Sequence, residues 1–344
     1  MKSTPFLEEV IAQPQALRDL VSQYQRTQFA PLLQAQALLA SAKRVIFSGM
    51  GTSYSAPLLI SDQLRQRGYL HIEAGELYEY NRSLLTHDTL CVFLSQSGES
   101  IEIKRLLDVL PDGCRVLAIT NEPGSTLGKA GEQTLLLFGG HEATITNRTF
   151  TNTLALLQLL FAPEASRNQM AAQLLYAADQ MEALCASAQA LEAVDEAAAW
   201  LAPAHQAYFI GRGGAGMVCA SQAALIFTEG ARCAGRGLST GAFHHGPMEI
   251  CGAEHRAVVF GQEDAYLPKT LNLCERMAAL QSHVIYVGHA QPADCRCIPL
   301  PAVNSAEYPF LAAMAFELLL TRVAALKCLE AGNFRIGNKI TVED

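Results

Sequence analysis

Leu90-Cys-Val-Phe-Leu-Ser-Gln-Ser-Gly-Glu-Ser100 is the stretch of sequence that decides the fold. Five apolar residues lead into six small or polar ones, and residues 101–110 follow with a helical pattern. An apolar run, a glycine–serine turn and a helix in this order are typical of a parallel sheet whose helices cover both faces. The same order occurs at residues 44–67 and again from Arg115. The chain is therefore expected to be an α/β protein.

The second half of the chain repeats the strand–turn–helix pattern of the first half. Three pairs of segments match in order: Ala207–Gly214 with Val45–Gly51, Arg256–Phe260 with Leu90–Leu94, and His283–Gly288 with Arg115–Thr120. An internal repeat of one strand–helix unit indicates a duplicated architecture. We expect two tandem doubly wound parallel sheets, flavodoxin-like, each in a three-layer αβα arrangement with flanking helices.

The domain boundaries follow from the same pattern. Residues 1–40 are predicted to form N-terminal helices, and Pro14 is expected in the first turn of the second of them. Residues 41–190 are assigned to a first α/β domain, and residues 195–331 to a second. Residues 150–200 within this span are rich in Ala and Leu and predict two long helices. Residues 332–344 are predicted to be a polar tail that closes over the active site.

Composition narrows the possible functions. The 344 residues are 50% apolar and 17% charged, with a net charge of −8. This balance argues against nucleic acid and anionic membrane as partners, so an anionic ligand would need a local site. The N-terminus lacks a signal-peptide pattern, and the apolar run Phe310–Leu320 contains Glu317 and is too short to span a membrane. The ten cysteines lie mostly in apolar runs, which is typical of buried cysteines in a reducing compartment. Cys295 and Cys297 are spaced too closely for a metal motif. We expect a cytoplasmic protein without metal or cofactor.

Residues 95–100 are a candidate anion site. Serine hydroxyls and a glycine at a helix N-terminus, where backbone N–H groups are free, favour negative charge. The loop lacks the lysine of a P-loop, which argues against a nucleoside triphosphate. Serine is also a common helix cap, so the residues alone leave a plain capped turn open as well. Gly49-Met-Gly-Thr-Ser53 has the same build and should line the same crevice.

Glu229 and His244-His-Gly-Pro247 form a second constellation. Glu229 follows the apolar run 223–227, and burial of its helix would raise a carboxyl pKa toward that of a general base. A histidine titrates in the range needed to open a sugar ring. A surface glutamate and a structural loop histidine are the alternative interpretation, and their spacing does not decide between the two.

From Glu9 to the tail Lys339-Ile-Thr-Val-Glu343, the chain resembles the SIS-domain phosphosugar isomerases. It is similar to the isomerase half of glucosamine-6-phosphate synthase and to the fructosamine-6-phosphate deglycases. The resemblance implies that the sugar phosphate and its hydroxyls are held by Gly51, Thr52, Ser53, Ser95, Gln96, Ser97, Ser100 and Thr146. It also implies that Glu229 is the base for the C1/C2 proton. His245 would open the ring from a neighbouring subunit of a homodimer or higher homo-oligomer with a shared active site, and Lys339 would form or orient a substrate imine.

The chain also departs from the synthase. It begins at Met1 without a segment that resembles the glutaminase domain, so we expect no ammonia from glutamine. Ile226 stands where the synthase has a lysine one turn before the base, and Ala242 stands where it has a glutamate. The deglycases also lack that lysine. We therefore expect a deglycase that cleaves a ketosamine 6-phosphate to an aldose 6-phosphate and an amine. A phosphosugar isomerase, an amino-sugar-phosphate deaminase and a non-catalytic sugar-phosphate sensor stay as alternatives.

Overall fold

A computed structural model describes residues 3–336 and residue 339. The first sheet has five parallel strands in the order β2-β1-β3-β4-β5. Its strands are β1 (Arg44–Ser48), β2 (Leu70–His71), β3 (Thr89–Leu94), β4 (Arg115–Thr120) and β5 (Gln133–Leu136). The strand order reverses between β1 and β3, which pair directly. Loops at the carboxyl ends of these two strands therefore meet at a topological switch point, where α/β sheets bind ligands.

The second sheet repeats this topology, with the order β10-β9-β8-β6-β7. Its strands are β6 (Gln206–Gly211), β7 (Ala234–Ser239), β8 (Arg256–Gly261), β9 (His283–Gly288) and β10 (Arg296–Pro299). β6, β8 and β9 occupy the positions of β1, β3 and β4. The two parallel sheets predicted from the repeated segments are confirmed.

Helices follow most of the strands and also make up the segments outside the sheets. The α-helices are α1 (Pro5–Ile11), α2 (Gln13–Gln25), α3 (Phe29–Ser41), α4 (Gly51–Ser55), α5 (Ser61–Gln66), α6 (Ala74–Glu79), α7 (Ile101–Asp108), α8 (Thr126–Ala130), α9 (Arg148–Phe161), α10 (Arg167–Ala186), α11 (Ala188–Leu201), α12 (Gly213–Ala231), α13 (Thr240–His244), α14 (Leu267–Ala279) and α15 (Tyr308–Leu326). Short 3-10 turns span Ala56–Ile60, Arg82–Leu84, Glu164–Ser166 and Pro247–Ile250.

Alternating side chains bury both faces of each sheet. In the first sheet, Ile46 and Phe93 belong to a core cluster with α6 and α7, whereas Phe47 packs on Phe161 of α9 at 5.9 Å between ring centroids. In the second sheet, Ile210 and Val259 belong to a cluster with α13 and α14. Phe209 lies on the other face, 5.2 Å from Phe316 of α15. Successive strand residues point to opposite faces, so each sheet becomes the middle of three layers.

α15 is long and apolar enough to cross a membrane, and among the described residues it is the helix that meets this test. The apolar run is therefore longer than the sequence suggested, but 83% of its apolar window is buried inside the protein. Phe310 and Phe316 are at most 1% exposed. This degree of burial is typical of a helix in the core of a globular protein.

The chain divides into two compact units. Of the described residues, the N-terminal unit contains 15–142 and 148–172, together with 335, 336 and 339 of the tail. The C-terminal unit contains residues 3–14, 143–147 and 173–334. The domain boundaries expected from the sequence stay a prediction. Of the predicted tail, residues 337, 338 and 340–344 lie outside the described residues.

Local structure differs from the sequence expectation in two helical stretches. The pattern of residues 44–67 predicts a turn followed by one helix from about Ser55. The helical segment begins earlier, at Gly51, and is split into α4, a 3-10 turn and α5, with Pro57 at the start of that turn. Proline lacks the N–H that would continue an α-helix. The two helices expected over 150–200 are three, because the chain breaks at Pro163 and again at Ser187, whose side chain caps α11.

Candidate functional site

The loop after β3, residues 95–100, folds around its own serine hydroxyls, and we call it the serine loop. Ser95 Oγ accepts a hydrogen bond from the Gly98 N–H at 3.1 Å and lies 3.0 Å from Ser100 Oγ. Ser97 Oγ accepts from the Glu99 N–H at 3.2 Å. Ser95 and Ser97 are both buried. A hydroxyl can accept and donate at once, so Ser97 can still donate to an acceptor such as a phosphate oxygen.

The serine loop is fastened to the end of β4. Gln96 O accepts hydrogen bonds from the Asn121 N–H at 3.0 Å and from Thr120 Oγ1 at 3.2 Å. Gly98 has φ +65°, and a Cβ placed on it would lie 2.0 Å from Ser125 Oγ. Glycine is therefore required here both for its backbone conformation and for space.

The serine loop leads directly into the eight-residue helix α7. Ser100 is the N-cap residue, and its side chain makes no cap hydrogen bond. The first backbone N–H groups of a helix lack partners within the helix, and together with the helix dipole they attract anions. The loop thus combines serine hydroxyls with a helix N-terminus that its own cap side chain does not satisfy.

The loop after β1, residues 49–53, lies beside the serine loop, and we call it the glycine loop. A Cβ on Gly49 would lie 2.8 Å from Leu94 O, at the end of β3. Gly51 opens α4 with φ +51°, and Thr52 and Ser53 of that helix are half-buried. Because β1 and β3 are paired, the structure brings the two predicted phosphate-binding loops of the N-terminal unit to one edge of the sheet.

Glu99 is a charged member of the serine loop that sequence reasoning did not select. Its carboxylate lies 2.7 Å from Lys104 Nζ and accepts a hydrogen bond from the Thr126 N–H at 2.7 Å. Lys104, followed by the Thr126 N–H, holds the pKa of Glu99 below its usual value. The ion pair offsets the one negative charge that this loop would otherwise present to an anion. A lysine five residues after the glutamate was the available signal.

In the C-terminal unit, Thr146 lies along the helix that carries Glu229. Gln222 Nε2 of α12 donates to Thr146 O at 3.1 Å. Further along the same helix, Gly230 lies close to Ile145: a Cβ on Gly230 would be 3.2 Å from Ile145 Cδ1. Glu229 stands seven residues after Gln222, so both side chains project from the same side of α12. The structure thus places two predicted site residues on neighbouring segments.

Glu229 itself is exposed. Ile226 and Phe227 of α12 are buried and face the core, whereas Thr228 and Glu229 are not. Helical spacing puts Glu229 on the same side of α12 as Gln222 and Ile226, which are both buried, but Glu229 stands only two residues before the helix ends at Ala231. The burial that we expect for the Glu229 side chain is therefore not observed.

His245 follows α13, in the loop after β7. Ser239 Oγ caps α13 by accepting from the Ala242 N–H at 3.0 Å, and Phe243 is fully buried beneath it. His244 and His245 are both exposed. Desolvation, followed by the nearby Arg276 and Arg212, lowers the pKa of His244. The anchored helix thus presents two imidazoles to the outside of the unit.

Lys339 is held by Glu142 within the N-terminal unit. Its Nζ donates to Glu142 O at 2.6 Å and to Glu142 Oε2 at 2.9 Å. The Glu142 side chain is 0% exposed and that of Lys339 is 16% exposed. Glu142 also accepts from the N–H and Oγ1 of Thr149, at 3.2 and 2.8 Å. Sequence reasoning named Lys339 and missed its partner, which lies 197 residues away.

The described residues contain no group of three or more His, Cys, Asp or Glu side chains that could hold a metal ion. A cavity of about 590 Å³ lies in the N-terminal unit beside β4 and β5, with Asn121 and Phe138 among its walls. None of its lining residues is a predicted site residue, so the assignment of the site depends on the two loops and not on this cavity.

Residues 38–163, which contain β1 to β5 and both loops, match the family model described as the SIS domain. The chain contains a SIS domain. Glutamine–fructose-6-phosphate aminotransferase (isomerizing) of Bacillus subtilis is 34% identical over 191 residues, covering 52% of this chain and 32% of that protein. The chain therefore spans about a third of the length of the curated relative that it matches. The family resemblance expected from the sequence is confirmed.

Two solved structures are similar over both sheets. The C-terminal domain of glucosamine-fructose-6-phosphate aminotransferase from Francisella tularensis has a TM-score of 0.84 at 19% identity, covering 96% of this chain and 98% of that chain. Tagatose-6-phosphate ketose/aldose isomerase from Escherichia coli has a TM-score of 0.79 at 20% identity, covering 96% and 95%. At these identities the likeness establishes the fold of the SIS-domain chain.

Proposed function

We propose that this SIS-domain protein is a sugar-phosphate enzyme, and specifically a deglycase for a ketosamine 6-phosphate. The observation that carries the proposal is the serine loop. It places buried serine hydroxyls before a helix N-terminus, and its one acidic side chain is paired with Lys104 at 2.7 Å. Such a loop suits a phosphate monoester, whose oxygens accept hydrogen bonds and whose charge the helix dipole favours. A match to the SIS domain supports the same ligand class.

The proposed reaction moves one proton between two neighbouring carbons. His245 protonates the ring oxygen and gives the open-chain ketosamine. Glu229 removes a proton from C1, the electron pair forms a C1–C2 double bond, and the C2 carbonyl oxygen takes a proton from water to become a hydroxyl. Return of a proton to C2 gives an imine between C1 and the substrate's own nitrogen. Water hydrolyses this imine to an aldose 6-phosphate and a free amine.

The residue one turn before Glu229 favours cleavage over synthesis. Ile226 is 1% exposed, so that position of α12 is buried core and offers no ammonium beside the proposed base. The resemblance places a lysine there in the synthase. We include in the proposal a homodimer in which His245 serves the neighbouring subunit, a cytoplasmic location and no cofactor.

A substrate panel tests the proposal. Purified protein is incubated with fructosamine 6-phosphates that carry different amino acids, with their non-phosphorylated forms, with ketose 6-phosphates and with glucosamine 6-phosphate. We expect aldose 6-phosphate and free amine from the first group, with solvent deuterium at C2 of the product. Turnover of a ketose phosphate alone would favour an isomerase, and release of ammonia from glucosamine 6-phosphate would favour a deaminase. Binding without any turnover would overturn the enzyme assignment in favour of a sensor.

Two variants assign the roles. Glu229→Gln removes the base while keeping the side-chain size, and we expect kcat to fall by about 10²- to 10⁴-fold at little change in KM. Glu192→Gln, on the exposed side of α11 in the same unit, is the matched control and should keep wild-type turnover. Ser97→Ala removes a donor to the phosphate and should raise KM by about 10- to 100-fold. A folded Glu229→Gln protein with wild-type kcat contradicts the mechanism.

A further inference from the structure

The contact between the tail and Glu142 bears on what Lys339 does. Its Nζ makes two hydrogen bonds to one residue, through a backbone carbonyl at 2.6 Å and a carboxylate oxygen at 2.9 Å. Most of the lysine side chain is covered. A surface ion pair of two long side chains would leave both groups in water, whereas here the carboxylate is fully buried. The lysine is therefore held at a defined position, and we call this contact of Lys339 with Glu142 the seat.

Glu142 is itself fixed by its neighbours. Thr149, at the start of α9, donates its N–H and its Oγ1 to the two carboxylate oxygens at 3.2 and 2.8 Å. Thr149 is 1% exposed. A buried carboxylate of this kind is stable only when hydrogen bonds and a positive charge compensate it. Lys339 thus brings a positive charge and two hydrogen bonds to a side chain that is fully buried.

The same contact limits the chemistry open to Lys339. An amine attacks a carbonyl through its lone pair, and an ammonium that donates to a carboxylate has none. A ketosamine already carries a nitrogen on C1, so the imine that is hydrolysed forms within the substrate. We propose that Lys339 acts as a charged anchor seated on Glu142 and not as an imine-forming amine, and that Glu142 is its positioning residue. The effect on turnover rests on the proposed function, whereas the seat itself does not.

Chemical labelling tests the seat without any substrate. The resting protein is treated with an amine-acetylating reagent, and the modification rate of each lysine is read by mass spectrometry. Lys43 is the internal control, because its side chain is 77% exposed although it also contacts a carboxylate, that of Asp88 at 2.9 Å. We expect Lys339 to react at least tenfold more slowly than Lys43, and Glu142→Gln to remove most of this difference. Equal rates in the wild-type protein would overturn the seat.

Substitution of the lysine tests its role. Lys339→Arg keeps the positive charge and the hydrogen-bond donors but cannot form an imine under these conditions. We expect Lys339→Met to lower kcat/KM strongly and Lys339→Arg to recover at least tenfold of that loss. Borohydride added during turnover should leave no substrate-derived mass on Lys339. A reduced adduct on Lys339, or a folded Lys339→Arg protein as inactive as Lys339→Met, would overturn the anchor role.

A double-variant cycle tests whether Glu142 acts through Lys339. The combination Glu142→Gln with Lys339→Met should be no worse in kcat/KM than Lys339→Met alone, because the two residues serve one function. Additive losses would show that Glu142 acts by another route. If no substrate in the panel is turned over while Lys339 stays protected from acetylation, the proposed function fails and the seat stands. The two ideas can thus fail separately.

Discussion

Gly98→Ala perturbs the serine loop at its tightest point. Gly98 has φ +65°, and an added Cβ would lie 2.0 Å from Ser125 Oγ and 2.6 Å from Ser125 Cβ. Ser125 cannot yield easily, because its hydroxyl donates to Glu122 O at 2.7 Å and caps α8 through the Gly128 N–H at 3.1 Å. The methyl group must therefore displace a residue that has two hydrogen bonds of its own.

The size of the effect follows from three contributions to the free energy of unfolding. A left-handed backbone costs a non-glycine residue about 1–2 kcal/mol. Loss of the Ser125 cap costs about 1 kcal/mol, and forcing a methyl group into an occupied space costs about 1–3 kcal/mol. We expect Gly98→Ala to destabilise the N-terminal unit by about 3–6 kcal/mol. Gly68→Ala is the matched control: its φ is +67°, and nothing lies within 4 Å of the added Cβ. It should cost about 1–2 kcal/mol.

The assay must report on the correct unit. The chain has one tryptophan, and Trp200 lies on α11 in the C-terminal unit. Unfolding of the N-terminal unit should therefore be followed by calorimetry or far-ultraviolet circular dichroism, with Trp200 fluorescence as a reference for the other unit. Each kcal/mol should lower Tm by about 2–4 °C in a unit of this size. Binding of a sugar phosphate is measured on whichever variants stay folded.

A relieving substitution completes the test. Gly98→Ala combined with Ser125→Ala removes the atom nearest to the new methyl group, so the double variant should be more stable than the two separate losses predict. If Gly98→Ala were as stable as Gly68→Ala and bound a sugar phosphate normally, the steric reasoning about the serine loop would be refuted.

The remaining predictions concern the C-terminal unit. Burial, followed by Arg256, lowers the pKa of His255 to about 4, so the folded state binds its proton less readily than the unfolded state, and stability is lost as the pH falls from about 6.5 toward 4. Between pH 7 and pH 5, denaturant titration should show wild-type protein losing about 2 kcal/mol more than His255→Gln, and equal losses would contradict the assignment. If His245 serves a neighbouring subunit, mixed Glu229→Gln and His245→Ala protomers should regain about a quarter of wild-type activity, because half the dimers are mixed and each has one intact site. No recovery from verified mixed dimers would argue against the shared site.

The sheets could be predicted from the sequence because their signal is local. Each central strand is an apolar run that ends in a small-residue turn, and the run at residues 90–94 is buried at every position of β3. β2 gave no such signal because it is only two residues long, Leu70–His71. Pro57 was visible in the sequence, but the apolar residues around it also fit one continuous helix.

The site could be predicted only in part, because its contacts reach beyond local pattern. The serine loop was found from its residue types, and its ion pair with Lys104 lies within one helix turn of it. The seat of Lys339 on Glu142 joins residues 197 positions apart, and no spacing rule connects them. The exposure of Glu229 was missed for another reason: helical spacing puts Glu229 on the buried side of α12 with Gln222 and Ile226, but it does not show that this side is uncovered near the helix end at Ala231.

An acidic residue inside a loop that we propose to bind an anion needs a physical account, and the structure supplies one for Glu99. Its carboxylate is held by Lys104 at 2.7 Å and by the N–H of Thr126, which opens α8, at 2.7 Å. Because Lys104 and the Thr126 N–H lower the pKa of Glu99, its carboxylate is ionised at neutral pH, where a phosphate monoester is also charged. The serine hydroxyls and backbone N–H groups of the loop can then donate to a phosphate, because the negative charge of Glu99 is already paired with Lys104. Under the proposed function, a chain of net charge −8 would bind an anion without an attractive overall field, because the charge balance is set within one loop.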